Sequence, residues 1–181
     1  QNTFDTYIAK EPWQERIKKT AIDFLDDYKE NWFFIGGQVG AGKTHICTAL
    51  VGEFINRGYG AKYMLWKDES TRIKSVVNDA DSYEPLMHEL KTIPVLYIDD
   101  FFKTYVDDRG VRVPPTQGDL KLAFEIINHR YIHGKITIIS SELTIREIIA
   151  CDEAVGSRIF QQTKKYQLSL SKDQNKNQRL K

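Results

Sequence analysis

Apolar residues recur at helical spacing through residues 12–29, at Trp13, Ile17, Ala21, Phe24, Leu25 and Tyr28, with charged residues between them. The pattern predicts an amphipathic helix. Trp32-Phe33-Phe34-Ile35 follows as an unbroken apolar run, as in a strand covered on both faces. Ile46, Ala49, Leu50 and Phe54 then mark one face of a helix that Gly58 can end as a cap, and Ala61 to Trp66 reads as a short strand. Residues 68–91 are polar but helical in spacing, interrupted at Asn78-Asp79-Ala80-Asp81-Ser82 and punctuated by Pro85, so two short helices are expected. Val95-Leu96-Tyr97-Ile98 is a second buried strand, ending in Asp99-Asp100. Between Phe101 and Gly118, Asp107-Asp108-Arg109-Gly110 and Pro114-Pro115 resist regular structure and predict a mobile loop. Asp119 is expected to cap the next helix, with Leu120, Ala123, Phe124, Ile127 and Tyr131 on its inner face up to Gly134. A strand over Ile136–Ser140, a short helix over Thr144–Cys151 and a strand over Gln167–Leu170 complete the reading. Alternating strands and helices predict an α/β fold with a largely parallel, five-stranded sheet flanked by helices, and ligands bind where such strands end.

One such end carries chemistry. Gly37-Gln38-Val39-Gly40-Ala41-Gly42-Lys43-Thr44 matches G-x-x-x-x-G-K-[ST] directly after the first strand, the context in which that pattern is a P-loop. Without Cβ atoms, successive backbone N–H groups in such a turn point inward at phosphate oxygens. Lys43 adds a point charge for the β and γ phosphates, Thr44 offers a hydroxyl to Mg²⁺, and the following helix presents its positive end. A glycine turn of purely structural purpose would explain the glycines but not Lys-Thr at this offset.

Asp99, at the end of a neighbouring strand, is the expected metal-side carboxylate. Asp100 stands where many ATPases of this kind carry a glutamate that orients the attacking water. Aspartate is one methylene shorter, and a misplacement of about 1 Å costs on the order of 100-fold in rate, so slow hydrolysis is expected. A kinase would need an acceptor pocket and an arginine-rich lid, and the sequence shows neither clearly.

The length of 181 residues suits one domain, over 1–170, followed by a tail at 171–181. The net charge of +1 does not by itself argue for nucleic acid, yet the distribution is uneven. From Arg158 onward Lys164, Lys165, Lys172, Lys176, Arg179 and Lys181 face the single acid Asp173, which reads equally as a phosphate contact or a solvated tail. No apolar run approaches the roughly 20 residues of a membrane span and no leader is evident, so a cytoplasmic location with no membrane partner is expected. Cys47 and Cys151 are too far apart for a C-x-x-C pair and read as small buried hydrophobes. Glu125, His129 and His133 share a helical face, but Arg130 stands where a zinc-protease pattern needs glutamate, and nothing completes a ligand set. Trp13, Trp32 and Trp66 read as core.

With both motifs placed, the chain resembles the AAA+ ATPase domain of bacterial replicative helicase loaders, the DnaC/DnaI family, with IstB-like transposition helpers close behind. The resemblance runs from Thr3-Phe4-Asp5 through GQVGAGKTH, VLYIDDFF, IINHRY and ITIISSELT, and rests most on the paired aspartates and on His45 after the P-loop. It implies ATP or ADP with Mg²⁺ bound between subunits, His45 among the nucleotide-site residues, and an arginine reaching the neighbour's γ-phosphate. Arg158 in Gly156-Ser157-Arg158-Ile159 matches that position, and Arg179 resembles the late arginine called sensor 2; a surface role is the competing reading for both. At the sensor 1 turn Glu142 replaces the usual asparagine, and either Ser141 substitutes or the turn is shifted by one residue. The family's helicase-binding module lies N-terminal to the ATPase domain and is expected to be absent from this chain, which begins at Gln1 rather than Met. Lys67, Arg72 and Lys74 are candidates for single-stranded DNA, against a solvated helix face. Phe4 and Tyr7 lie near the adenine or staple the first helix. The implied function is a nucleotide-switched loader acting on single-stranded DNA and a hexameric replicative DNA helicase, with self-association or a replication initiator as further partners. The alternatives are a non-catalytic P-loop adaptor, a transposition helper and, distantly, a small-molecule kinase.

Overall fold

The computed structural model describes residues 2–38 and 42–170. Twelve named elements alternate along it: α1 (Pro12–Asp26), β1 (Phe33–Gly37), α2 (Gly42–Asn56), β2 (Ala61–Leu65), α3 (Trp66–Ser75), α4 (Ala80–Thr92), β3 (Val95–Asp99), α5 (Gln117–Ile132), β4 (Ile136–Ser141), α6 (Ile145–Cys151), α7 (Glu153–Thr163) and β5 (Gln167–Leu170). The strands form one five-stranded sheet in the order β2-β3-β4-β1-β5. Every pairing is parallel. No helix among the described residues is long and apolar enough to cross a membrane.

Period-two alternation divides the strands between two cores. Phe33, Ile35, Val95, Tyr97, Ile136 and Ile138 pack with α1 and α2, while Phe34, Leu96, Ile98 and Ile139 pack with α3 to α7. Both faces are covered, so the strands read as continuous apolar runs. Trp13, Trp32 and Trp66 are all buried, as is Cys47, whereas Cys151 is only half-buried. Arg130, from the IINHRY segment, is wholly buried. It donates to the carbonyls of Leu90, Ile93 and Ile136 and to the Thr137 hydroxyl, tying the end of α4 to the start of β4. Burial lowers its pKa to about 9.

Several local expectations are corrected. Trp66 opens α3 instead of closing β2, because the pairing partner of Leu65 is Asp99, where β3 itself ends. Pro85 lies inside α4 without breaking it. Thr116, not Asp119, caps α5; Asp119 is the N3 residue of the capping box, returning a bond to the Thr116 N–H. The inner face of α5 carries Leu122, Ala123, Ile126, Ile127 and Arg130. Phe124 is exposed and Tyr131 half-buried, because they lie toward Arg158 of α7. Helix α7, capped by the Asp152 side chain, is an element the periodicity does not announce. The segment after β3 carries a small hairpin: Val106 bridges Arg112, and the Asp107 carboxylate accepts from the N–H groups of Arg109 and Val111.

Candidate functional site

Strand β1 delivers the chain to the C-terminal edge of the sheet through two glycines that the local geometry requires. A Cβ on Gly36 would lie 2.3 Å from the Leu143 carbonyl oxygen, and Gly37 has φ of 87°, the left-handed region. Gln38 follows; Val39, Gly40 and Ala41 lie outside the described residues. Helix α2 begins at Gly42 and places Lys43 and Thr44 in its first turn. The Lys43 ammonium donates to the Gly37 carbonyl at 2.6 Å and the Ser141 carbonyl at 3.0 Å, spanning the ends of β1 and β4. Burial lowers its pKa, opposed by the charges of Asp100, Glu142 and Asp99. Gln38, Lys43, Thr44, Asp100 and Glu142 line one cavity of about 300 Å³.

Asp99, at the end of β3, is buried and held by two hydroxyls. Tyr63 of β2 donates to Oδ2 at 2.6 Å and Ser140 of β4 to Oδ1 at 2.7 Å. Ser140 thereby spends its only proton, so the Tyr97 hydroxyl, 2.9 Å from Ser140 Oγ, must be the donor of that pair. A one-way relay results, Tyr97 to Ser140 to Asp99. Burial raises the pKa of both tyrosines, so they are donors at any working pH.

Directly after the strand, Asp100 and Phe102 take left-handed φ of 53° and 61°. Aspartate tolerates this conformation; a bulky residue does so only when its surroundings hold it. Phe101 and Phe102 are fully buried and stacked 4.1 Å apart, which anchors the turn and leaves Asp100 facing the cavity. Burial, then the Asp99 charge, raises the Asp100 pKa, while Lys103 pulls it down.

At the end of β4 the Ser141 hydroxyl points away from the cavity. It donates to the Phe101 carbonyl at 2.7 Å and accepts from the Leu143 N–H at 3.0 Å. Only its carbonyl meets the site, through Lys43. Glu142 faces the cavity and pairs with Lys103 at 3.4 Å and Arg112 at 3.2 Å.

The N-terminal segment lies over the start of α2. His45 Nε2 is 2.9 Å from the Thr3 carbonyl, which can only accept, so that nitrogen carries the proton; the Thr6 hydroxyl is 3.0 Å away. Tyr7 meets the His45 ring edge-on at 5.4 Å, a Cβ on Gly42 would lie 3.6 Å from its ring, and burial followed by Glu15 pushes its pKa up to about 12. Phe4 is half-buried against the same core.

Arg158 is not among the residues lining this cavity. It lies on α7 against α5, donating to Asn128 Oδ1 and the Ala154 carbonyl, with its guanidinium 5.2 Å from the Phe124 ring centroid. Arg179 and the basic residues of 171–181 lie outside the described residues. Lys67 and Lys74 line a cleft of about 230 Å³ with Lys103, Thr104 and Tyr105, whereas Arg72 pairs with Glu69. His129 and His133 rings lie 4.2 Å apart, and among the described residues no three His, Cys, Asp or Glu side chains group to hold a metal.

Sequence reasoning missed Gly36, Tyr63, Tyr97, Ser140, Lys103 and Arg112. A faint signal existed for Gly36 in the Gly36-Gly37 doublet, and for Ser140 in the polar end of an otherwise apolar strand. Tyr63, Lys103 and Arg112 have none, since tertiary contact alone gives them a role.

Residues 3–160 match the family described as IstB-like ATP binding protein. The chain is 32% identical over 155 residues to Phage-like element PBSX protein XkdC of Bacillus subtilis (strain 168), covering 84% of this chain and 56% of that protein. It is 31% identical over 153 residues to the uncharacterized protein YqaM of the same strain, covering 81% and 47%. The chain therefore spans about half the length of these curated relatives. The crystal structure of the DnaC helicase loader superposes with a TM-score of 0.73 over 94% of this chain and 96% of that one, at 22% identity, a likeness of fold.

Proposed function

Because the chain belongs to the family of IstB-like ATP-binding proteins, we propose that this ATP-binding AAA+ domain serves a helicase loader, switching its hold on single-stranded DNA with the state of its nucleotide. One observation carries the reading. Lys43 and Thr44 from α2 and Asp100 from the turn after β3 converge on one cavity at the C-terminal edge of the sheet, with Asp99 held just behind by two hydroxyls.

The donor set fits a nucleotide with Mg²⁺. Lys43 is a buried ammonium bonded to carbonyls, suited to phosphate, and the Gly37 turn precedes it. The oxygens of Thr44 and Asp99 are hard ligands too few to cage an ion, the usual arrangement for Mg²⁺ that shares phosphate oxygens. When bound, Mg²⁺ supplies charge neutralisation along the phosphates. Lys43 binds the phosphates, Asp100 orients water from its left-handed turn, and Asp99 is held in place by its two hydroxyl donors. The shorter reach of Asp100 makes turnover slow. Arg158, held on α7 against α5 by Asn128 and the Ala154 carbonyl, is the proposed arginine for a neighbouring subunit's γ-phosphate. The cleft that joins Lys67 and Lys74 to Lys103 and Tyr105 supplies cations and an exposed aromatic ring, the chemistry of a single-strand groove. A replicative helicase is the proposed recipient, and residues 1–170 form the ATPase unit. The anion that Glu142 sets in the cavity favours a second reading, an adaptor that keeps nucleotide without turnover.

Anisotropy of a labelled single-stranded DNA, with Mg²⁺ and either a non-hydrolysable ATP analogue or ADP, tests the proposal. Tighter binding with the ATP analogue, abolished by Arg158→Ala, is expected. Equal binding in both nucleotide states refutes the switch and leaves the adaptor.

A further inference from the structure

The turn that ends β4 presents an anion where phosphate is expected. Glu142 lines the cavity with Lys43 and Thr44, and its charge repels phosphate. The Ser141 hydroxyl is committed to Phe101, so this turn offers the site no side-chain donor. Two cations from elsewhere in the chain meet Glu142. Lys103 Nζ lies 3.4 Å from Glu142 Oε1 and 3.8 Å from Asp100 Oδ2, bridging the two carboxylates of the cavity. Arg112 Nη2 donates to Glu142 Oε2 at 3.2 Å, while its Nη1 is buried without a hydrogen-bond partner. Arg112 thus has a donor still to spend.

Both residues belong to the hairpin segment that follows the acidic pair. Their ion pairs are accessible, with the side chains of Lys103 and Glu142 exposed to 41% and 37%, so the partners exchange at small cost. Resting on the nucleotide reading above, we propose that Lys103 and Arg112, held at the cavity by Glu142, are the groups by which this chain distinguishes a nucleoside triphosphate from a diphosphate. Glu142 is their counter-ion, and a terminal phosphate takes its place. Arg112, planar and forked, suits a phosphoryl group. Lys103 also lines the cleft that holds Lys67 and Lys74, so its change of partner reaches that surface directly.

The test is calorimetric titration of the wild-type chain with the non-hydrolysable triphosphate AMP-PNP and with ADP, each with Mg²⁺, beside Lys103→Gln, Arg112→Gln, the double variant and Lys43→Ala. Glutamine keeps most of each stem. Wild type is expected to prefer the triphosphate, with each single substitution weakening AMP-PNP about tenfold and leaving ADP binding and the melting temperature in place. The double variant loses the preference. A merely structural ion pair would move melting and leave the ratio of the two affinities untouched. An unchanged ratio in the double variant, or a wild type indifferent to the third phosphate, overturns the proposal. Should wild type bind neither nucleotide, as Lys43→Ala is expected not to, the nucleotide reading itself fails and this inference falls with it.

Discussion

Ser140→Ala tests the hydroxyl relay behind Asp99 at its central link. The substitution deletes a bond donated to the Asp99 carboxylate at 2.7 Å, where the serine is 1% exposed and water cannot take its place. Such a bond contributes about 2 kcal/mol. It also strips Tyr97, equally buried, of the acceptor for its hydroxyl. An orphaned hydroxyl costs about 1 to 3 kcal/mol, reduced here toward the lower end by the Cys47 sulfur and the Asp99 carboxylate beside it. The single variant is therefore expected to lose about 3 kcal/mol. Tyr97→Phe removes a donor and leaves Ser140 free to serve Asp99, a loss of about 1 kcal/mol. The double variant has no orphan left and loses only the Asp99 bond, about 2 kcal/mol. The two singles sum to about 4 kcal/mol, so a coupling of about 2 kcal/mol should appear in the cycle. Urea unfolding with a common m-value measures all four states. Additivity within about 0.5 kcal/mol would refute the relay and the donor directions assigned to it.

Gly36→Ala forces a Cβ to 2.3 Å from the Leu143 carbonyl and 2.5 Å from the Phe34 ring; thermal melting should fall by about 1 to 3 kcal/mol of stability, and nucleotide titration should weaken with it. Gly52→Ala, in α2 with nothing within 4 Å, is the control and should stabilise by about 0.5 to 1 kcal/mol. Burial pushes the Asp119 carboxyl up, but Lys74 at 2.5 Å and the Thr116 bonds outweigh it and hold its pKa below the ordinary value. That contribution is present above the ordinary carboxylate pKa and lost as pH falls through the lowered one, so unfolding free energies of wild type and Asp119→Asn should differ by about 1 kcal/mol at neutral pH and converge in acid. For Asp100 the sign reverses: its raised pKa costs stability as pH rises from the ordinary carboxylate value through the raised one. Asp100→Asn should therefore unfold at higher urea than wild type at neutral pH while keeping nucleotide and losing turnover; unchanged turnover in a phosphate-release assay removes Asp100 from the mechanism.

The strands β1, β3, β4 and β5 and the helices α1 and α2 were legible because their determinants are local. An apolar run of four and a 3.6-residue repeat state their geometry within a few residues, whatever they later pack against. The same holds for Asp99-Asp100, since a strand end followed by two acids puts carboxylates at the sheet edge. Asp119 shows where locality stops. Its chemistry as a helix-start residue was correct, but whether it sits at the cap or three residues inside depended on where Thr116 left the hairpin. The face of α5 was rotated for a related reason: Phe124 and Tyr131 lie toward Arg158 of α7, a helix further along the chain. Only the tertiary fold could decide that Tyr63 and Ser140, 77 residues apart in sequence, hold the same carboxylate, or that Lys103 and Arg112 close on Glu142. Parallel pairing in the order β2-β3-β4-β1-β5 brings those strand ends to one edge. A sheet whose neighbours come from distant parts of the chain makes its site out of contacts that no short stretch of sequence contains.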